Sequence, residues 1–246
     1  MNLIYHTEDK DEPMNILAIG PHPDDIECYC GGALALYAER GHRITNACIT
    51  NGNMGSMEYA PDELAAVREG EARAAAAVIG AEVIWAGLGD ASLTDSIDNR
   101  NIFIDIIRRS RPDVILCPSP DDYHPDHRAC SLLARDAALL ASAPLIETGH
   151  PATDRTPYIF YHDHPNGVSF EPEEYVDVTS VMDTKLKMMA CHRSQISWLR
   201  SQYGMDFAYS FETMARFRGL ACGCLFAEGF RPDRTFPGSA PARLLP

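Results

Sequence analysis

Residues 14–20 (MNILAIG) form a short aliphatic run rising out of a polar beginning, the pattern of a strand buried on both faces. A Pro/Asp/Gly segment follows, and then GGALALYAERGHR, whose Ala and Leu content predicts a helix ending near Gly41. The alternation then recurs. A strand over 43–50 leads through a Gly/Asn loop to a long helix from Pro61 to about Ile79, stopped by Gly80. A strand over 82–85, a helix over 99–109, a strand over 113–117 and a helix over 126–141 complete it. Such alternation implies right-handed crossovers and a mainly parallel sheet with helices on both faces, an α/β fold. Ligands of such sheets bind beyond the carboxyl ends of the strands. Past residue 145 the pattern loosens: 157–161 and 175–178 predict strands, 181–192 a helix, and the Pro-rich tail from Arg231 irregular chain.

Composition narrows the function more than the fold. A hydrophobic fraction of 46% and a charged fraction of 23% over 246 residues describe a globular chain. The net charge of -14 argues against a nucleic-acid or anionic-membrane surface, which needs clustered Lys and Arg. The most apolar stretch, 129–146, is broken by Arg135 and Asp136 and cannot span a bilayer. Residues 1–13 carry no secretory signal and read as a flexible extension before a single domain over 14–246, which places the chain in the cytoplasm. Eight cysteines, most within apolar runs and none in a C-x-x-C, read as reduced packing residues.

Two segments carry chemistry. Gly20-Pro21-His22-Pro23-Asp24-Asp25-Ile26-Glu27 follows the first strand, and Asp122-Tyr123-His124-Pro125-Asp126-His127-Arg128 follows the fourth. Alone, His-Pro-Asp-Asp is an ordinary turn sequence, and a lone H-x-x-H is weaker still. Both at carboxyl ends of parallel strands, they supply imidazoles and carboxylates to one crevice. His22, His127 and one carboxylate would meet the three-ligand need of a catalytic zinc. The remaining Asp and His suit amide hydrolysis, as a base for water and a donor to the oxyanion.

These residues resemble the PIG-L/LmbE zinc deacetylases. The likeness rests on His22-Pro23-Asp24-Asp25 with Ile26-Glu27, Gly31-Gly32, Thr50-Asn51-Gly52 and His124-Pro125-Asp126-His127-Arg128-Ala129. It continues through Arg68-x-x-Glu71 with Ile79-Gly80, His192-Arg193-Ser194-Gln195 and Ala227-Glu228-x-Phe230. The resemblance implies a Rossmann-like fold and removal of the N-acetyl group from an N-acetylglucosamine-type sugar or glycoside. It makes His22, Asp25 and His127 the zinc ligands, Asp24 the general base and His124 the oxyanion donor. Asp126 would hold His124 protonated. Arg68 is either a substrate contact or a solvated helix charge, and Asp90 resembles a loop residue of the family. Cys28-Tyr29-Cys30 departs from the family pattern, with Tyr29 where a glycine is usual. His162 and His164, in YHDHP, are a second histidine pair, read as a loop beside the pocket. Iron(II) suits the same ligands as zinc.

Other readings fit less well. A nucleotide-dependent oxidoreductase would need G-x-G-x-x-G in the first loop, where carboxylates stand instead. A two-metal phosphoesterase would need more bridging carboxylates. A non-catalytic sugar-binding protein has no use for both Asp24 and His124. An amidase acting on thiol-sugar S-conjugates is the nearest alternative. The expected partner is a small amino-sugar substrate, with homo-oligomerisation left open.

Overall fold

Five parallel strands set the frame. In the computed structural model, which describes residues 13–164, 167–235, 240 and 243–246, these are β1 (Asn15–Gly20), β2 (Arg43–Thr50), β3 (Glu82–Leu88), β4 (Val114–Cys117) and β5 (Tyr158–His162). Two more strands, β6 (Glu174–Asp177) and β7 (Ala227–Pro232), pair antiparallel and complete the order β3-β2-β1-β4-β5-β7-β6. The helices are α1 (Asp25–Glu39), α2 (Pro61–Ala77), α3 (Ile97–Ser110), α4 (Pro125–Leu140), α5 (Met182–Met189), α6 (Arg193–Tyr203) and α7 (Phe207–Cys222). The expected α/β, mainly parallel and Rossmann-like sheet is present. The extension expected over 1–13 lies, apart from Pro13, outside the described residues.

Side chains of β1 divide between two cores, as a doubly covered strand requires. Leu17 and Ile19 pack with Phe103 and Ile107 of α3 and Leu133 of α4. Ile16 and Ala18 pack with Leu34 and Tyr37 of α1 and Phe230 of β7. All eight cysteines are free and five are buried. No helix among the described residues is long and apolar enough to cross a membrane.

The chain first moves outward from β1 to β2 and β3, then returns to the other side of β1 as β4. Connections therefore diverge between the ends of β1 and β4, a topological switch point where a crevice opens. Both chemistry-bearing segments begin there.

Three elements depart from the sequence pattern: α6 and α7 were unmarked, and β7 crosses the start of the tail read as irregular. The reason for β7 lies in Glu228, a charge in the middle of a buried strand. Its carboxylate accepts from the backbone N–H of Gly32 (2.8 Å) and Ala33 (2.8 Å) and from Lys185 Nζ (2.6 Å). Lys185 Nζ also donates to the carbonyl of Cys28 at 2.7 Å. A buried ion pair thus engages the backbone of α1 between Cys28 and Ala33, about one to two turns beyond its Asp25 end. Gly32 lets it in, since a Cβ there would stand 2.6 Å from Val178.

Candidate active site and metal centre

β1 ends at Gly20, and the chain turns through Pro21, His22 and Pro23 into α1. Asp24 caps the helix with φ +125°, a left-handed backbone that costs a non-glycine residue about 1–3 kcal/mol. Arg68 of α2 holds it there. Its Nη2 donates to Pro23 O (2.6 Å) and Asp24 Oδ1 (2.9 Å), and its Nη1 to Gly52 O (2.9 Å). Gly52 has φ +62°, and a Cβ on it would lie 2.5 Å from Arg68 Nη1, so the reach of the guanidinium depends on that glycine. Asp25 begins the helix and accepts from the His22 N–H at 2.8 Å.

The second segment leaves β4 and enters α4. Asp122 organises it: Oδ1 accepts from the His124 N–H (2.9 Å), while Oδ2 faces His127 Nδ1 (2.9 Å). His124 caps α4, its Nδ1 accepting from the Asp126 N–H at 3.2 Å. With Nδ1 an acceptor, the ring proton sits on Nε2, facing away from the helix.

The two segments meet in a triangle. His22 Nδ1 lies 3.1 Å from Asp25 Oδ2 and 3.3 Å from His127 Nε2, and His127 Nε2 lies 3.3 Å from Asp25 Oδ2. Ligands about 2.0–2.1 Å from a shared tetrahedral ion stand about 3.3 Å apart, so these three atoms are set to hold one. His124 also reaches the group, its ring 4.7 Å from that of His22, and His22, Asp90 and Asp126 make a further carboxylate-rich set. The triangle is the better-braced arrangement, because Asp122 fixes His127 from behind while Asp90 (3.2 Å) and Asp126 (3.3 Å) face His22 Nε2.

Electrostatics favour a cation here. Burial works to lower His22, but Asp126, Asp25 and Asp90 outweigh it and raise it well above the usual imidazole value. Burial likewise opposes, and Asp25 and Asp122 overcome, the rise of His127 to about 9. Asp25 is held well below the usual carboxylate range, burial being outweighed by His127 and His22. Protons fill the place of the positive charge these carboxylates call for, and a dication would displace them. Asp24 behaves differently. Burial lifts it to about 6 although Arg68 pulls it down.

Two roles change from those the resemblance implied. The Asp126 carboxylate serves His22 and the N–H groups of Ala91 (2.8 Å) and Leu93 (3.2 Å); it is the backbone of Asp126 that meets His124. Burial, His22 and His127 lower the pKa of His124, and the opposing pull of Asp126 and Asp25 is smaller. Arg68 is not the solvated helix charge that was one of its two expected roles. It is 3% exposed and braces Asp24. His162 and His164 lie beside the centre, at and just beyond the end of β5, and do not join the triangle.

Several contributors escaped the sequence reading. Asp122 had a signal, since a metal-binding His usually donates its second nitrogen to a carboxylate. The buried pair of His192 Nε2 with Glu27 Oε2 (3.1 Å), which ties the first turn of α1 to the start of α6, joins two segments of the resemblance whose contact no spacing could reveal.

Comparison with known proteins agrees with this geometry. Residues 17–138 match the family described as PIG-L: GlcNAc-PI de-N-acetylase. The chain is 30% identical to a diacetylchitobiose deacetylase of Thermococcus kodakarensis, over 89% of this chain and 85% of that protein. An N,N'-diacetylchitobiose deacetylase from Pyrococcus horikoshii, solved with an inhibitor, superposes with a TM-score of 0.80 at 27% identity, over 93% of this chain and 87% of that one. A 4-carboxy-2-hydroxymuconate hydratase from Pseudomonas putida superposes with a TM-score of 0.79 at 25% identity, over 94% of this chain and 100% of that one.

Proposed function

Because this chain belongs to the PIG-L family, we propose that it is a zinc-dependent hydrolase removing the N-acetyl group from an N-acetylglucosamine-type sugar or glycoside. The observation that carries the reading is the triangle of His22 Nδ1, Asp25 Oδ2 and His127 Nε2, with Asp24 next to it in sequence and buried. Two imidazoles and a carboxylate suit zinc, and iron(II) as well. Bound there, the metal would supply Lewis acidity to the acetamide carbonyl and to an attacking water.

The protein's own groups do the rest. Asp24, raised to about 6, is matched to taking a proton from water near neutral pH. Its strained backbone and the Arg68 clamp keep the carboxylate in one place during that transfer. Neutral His124 keeps a proton on Nε2 and donates it as a hydrogen bond to the oxyanion. Asp24, having gained the proton, passes it to the departing amine. Acetate leaves, the second proton of the water passes to the amine, which departs as ammonium, and Asp24 is again a carboxylate. Asp90, Asp122 and Asp126 hold the metal-binding histidines in the required tautomers.

The likeness to a hydratase does not transfer as readily. A polycarboxylate substrate calls for free cations, whereas Arg68 is committed to Asp24 and two carbonyls amid Asp25, Asp90, Asp122 and Asp126. A neutral amide suits so acidic a site.

The test is release of amine and acetate by zinc-loaded protein. The panel holds N-acetylglucosamine, chitobiose-type disaccharides, N-acetylglucosaminyl-inositol, N-acetylglucosaminyl-malate and a thiol-sugar S-conjugate. 4-Carboxy-2-hydroxymuconate is the control for hydration. Turnover of an N-acetyl sugar is expected. Hydration of the control with every amide left intact would overturn the proposal.

A further inference from the structure

The metal triangle has a closed side and an exposed border. Tyr29 follows Asp25 by four residues on α1, so the two side chains leave the same face of the helix. The Tyr29 ring stands edge-on to His127 with centroids 6.5 Å apart. It stacks on His162 at 5.1 Å with planes 11° apart, and meets Phe211 edge-on at 5.4 Å. Tyr29 is 5% exposed, His162 1% and Phe211 7%, so these rings form a wall. Behind the wall lies a small cavity lined by Tyr29, Phe211, Met214, Ala215 and two buried ion pairs.

Around His124 and Asp90 the site is bordered by solvent-exposed residues. Tyr123, 70% exposed, presents its ring perpendicular to that of His124 at 5.9 Å. Met54, 61% exposed, donates its backbone N–H to Asp90, the carboxylate that faces His22. An N-acyl sugar has one bulky, hydroxyl-bearing end and one small apolar end. Only this exposed border can receive the sugar and leave its hydroxyls in water. With the amide carbonyl at the triangle, the acyl tail is then directed at the aromatic wall.

We propose that Tyr29, backed by His162 and Phe211, closes the acyl side of the site and limits the substrate to acetyl-sized acyl groups. The proposal rests on the deacetylase reading and adds a specificity-determining residue to it. A wall of stacked rings discriminates by exclusion, and one misfitting methylene is worth roughly 10–200-fold in such a pocket. Truncating Tyr29 joins the site to the cavity beyond and gives a longer tail somewhere to go.

The experiment is calorimetric titration of zinc-loaded protein with acetohydroxamate, butyrohydroxamate and hexanohydroxamate, whose metal-binding head is constant while the tail grows. Wild type is expected to bind hexanohydroxamate at least tenfold more weakly than acetohydroxamate. Tyr29→Ala should erase that preference, Tyr29→Leu should weaken it, and Tyr29→Phe should retain it, with folding of each variant checked by thermal melting. Wild-type protein that binds all three alike overturns the proposal whatever the variants do. So does a folded Tyr29→Ala or Tyr29→Leu with the wild-type ratio. Amine release from the matching N-acyl glucosamines is followed in parallel. No release at any tail length, with the binding ratios as expected, would count against deacetylation alone.

Discussion

Replacing Asp24 with Asn removes a charge but keeps the side chain's shape and its ability to accept from Arg68 Nη2. Asn is also among the residues that tolerate positive φ. Burial, opposed by Arg68 and assisted by Asp25, raises the wild-type carboxyl to about 6 from an ordinary 3.8. That gap is worth about 3 kcal/mol. The folded protein holds this proton more tightly than the unfolded chain does. Its stability is therefore unaffected by the group below pH 3.8, falls as pH rises towards 6, and stays lowered above that. Asp24→Asn escapes the loss. In chelator-treated protein the variant should gain on wild type by up to about 3 kcal/mol between pH 4 and 7. In zinc-loaded protein its turnover should fall about 10²–10⁴-fold, the usual contribution of a general base. Urea unfolding of both proteins at half-unit pH steps, with kcat on one N-acetyl sugar, measures both effects. Stability curves that run parallel would refute the burial argument, and a near-normal kcat would refute the assignment of the base.

Other consequences can be checked alongside. His127→Ala should abolish stoichiometric zinc binding, while Asp122→Ala should weaken it about 10–100-fold by freeing the imidazole, as read by competition with a chromogenic chelator. Because His127 is raised to about 9 and His22 is also raised, zinc must displace protons; its apparent affinity should climb steadily from pH 6 to 9, and a flat profile would contradict the triangle. Lys185→Met leaves Glu228 buried and unpaired, at a cost of about 3–5 kcal/mol. For a chain of this size that lowers the melting temperature by about 10 °C, and an unchanged melt would show that the inserted pair is not the clamp it looks to be.

The parallel part of the sheet could be read from the sequence for a physical reason. Strands buried on both faces, such as Val114–Cys117, must be apolar throughout, and the helices between them carry their own stop signals at Gly41 and Gly80. The residues of the triangle could be picked out too, because His22, Asp25 and His127 all lie in the loop or the first helical turn that follows such a strand. What sequence could not express was direction. Asp126 turns to His22 and two N–H groups instead of His124, and Arg68 turns inward to Asp24, because tertiary packing chooses their partners. The antiparallel edge was hidden for a related reason. Glu228 interrupts the apolar pattern of β7, and only Lys185 and the amides of α1 make that charge tolerable in a core. α6 has no fully buried residue, so it offers no clear apolar stripe to find.

The ion pair threaded into α1 also sets an order of events in the life of the molecule. The turn bearing Asp24 and Asp25 leaves the ribosome long before Glu228, which lies on β7. Until then the amides of Gly32 and Ala33 lack the carboxylate that receives them, and the helix behind the ligands has no clamp. Translation, at about 5–20 residues per second, keeps the two ends apart for many seconds. A chain interrupted before β7 would thus carry His22, Asp25 and His127 without the brace behind them.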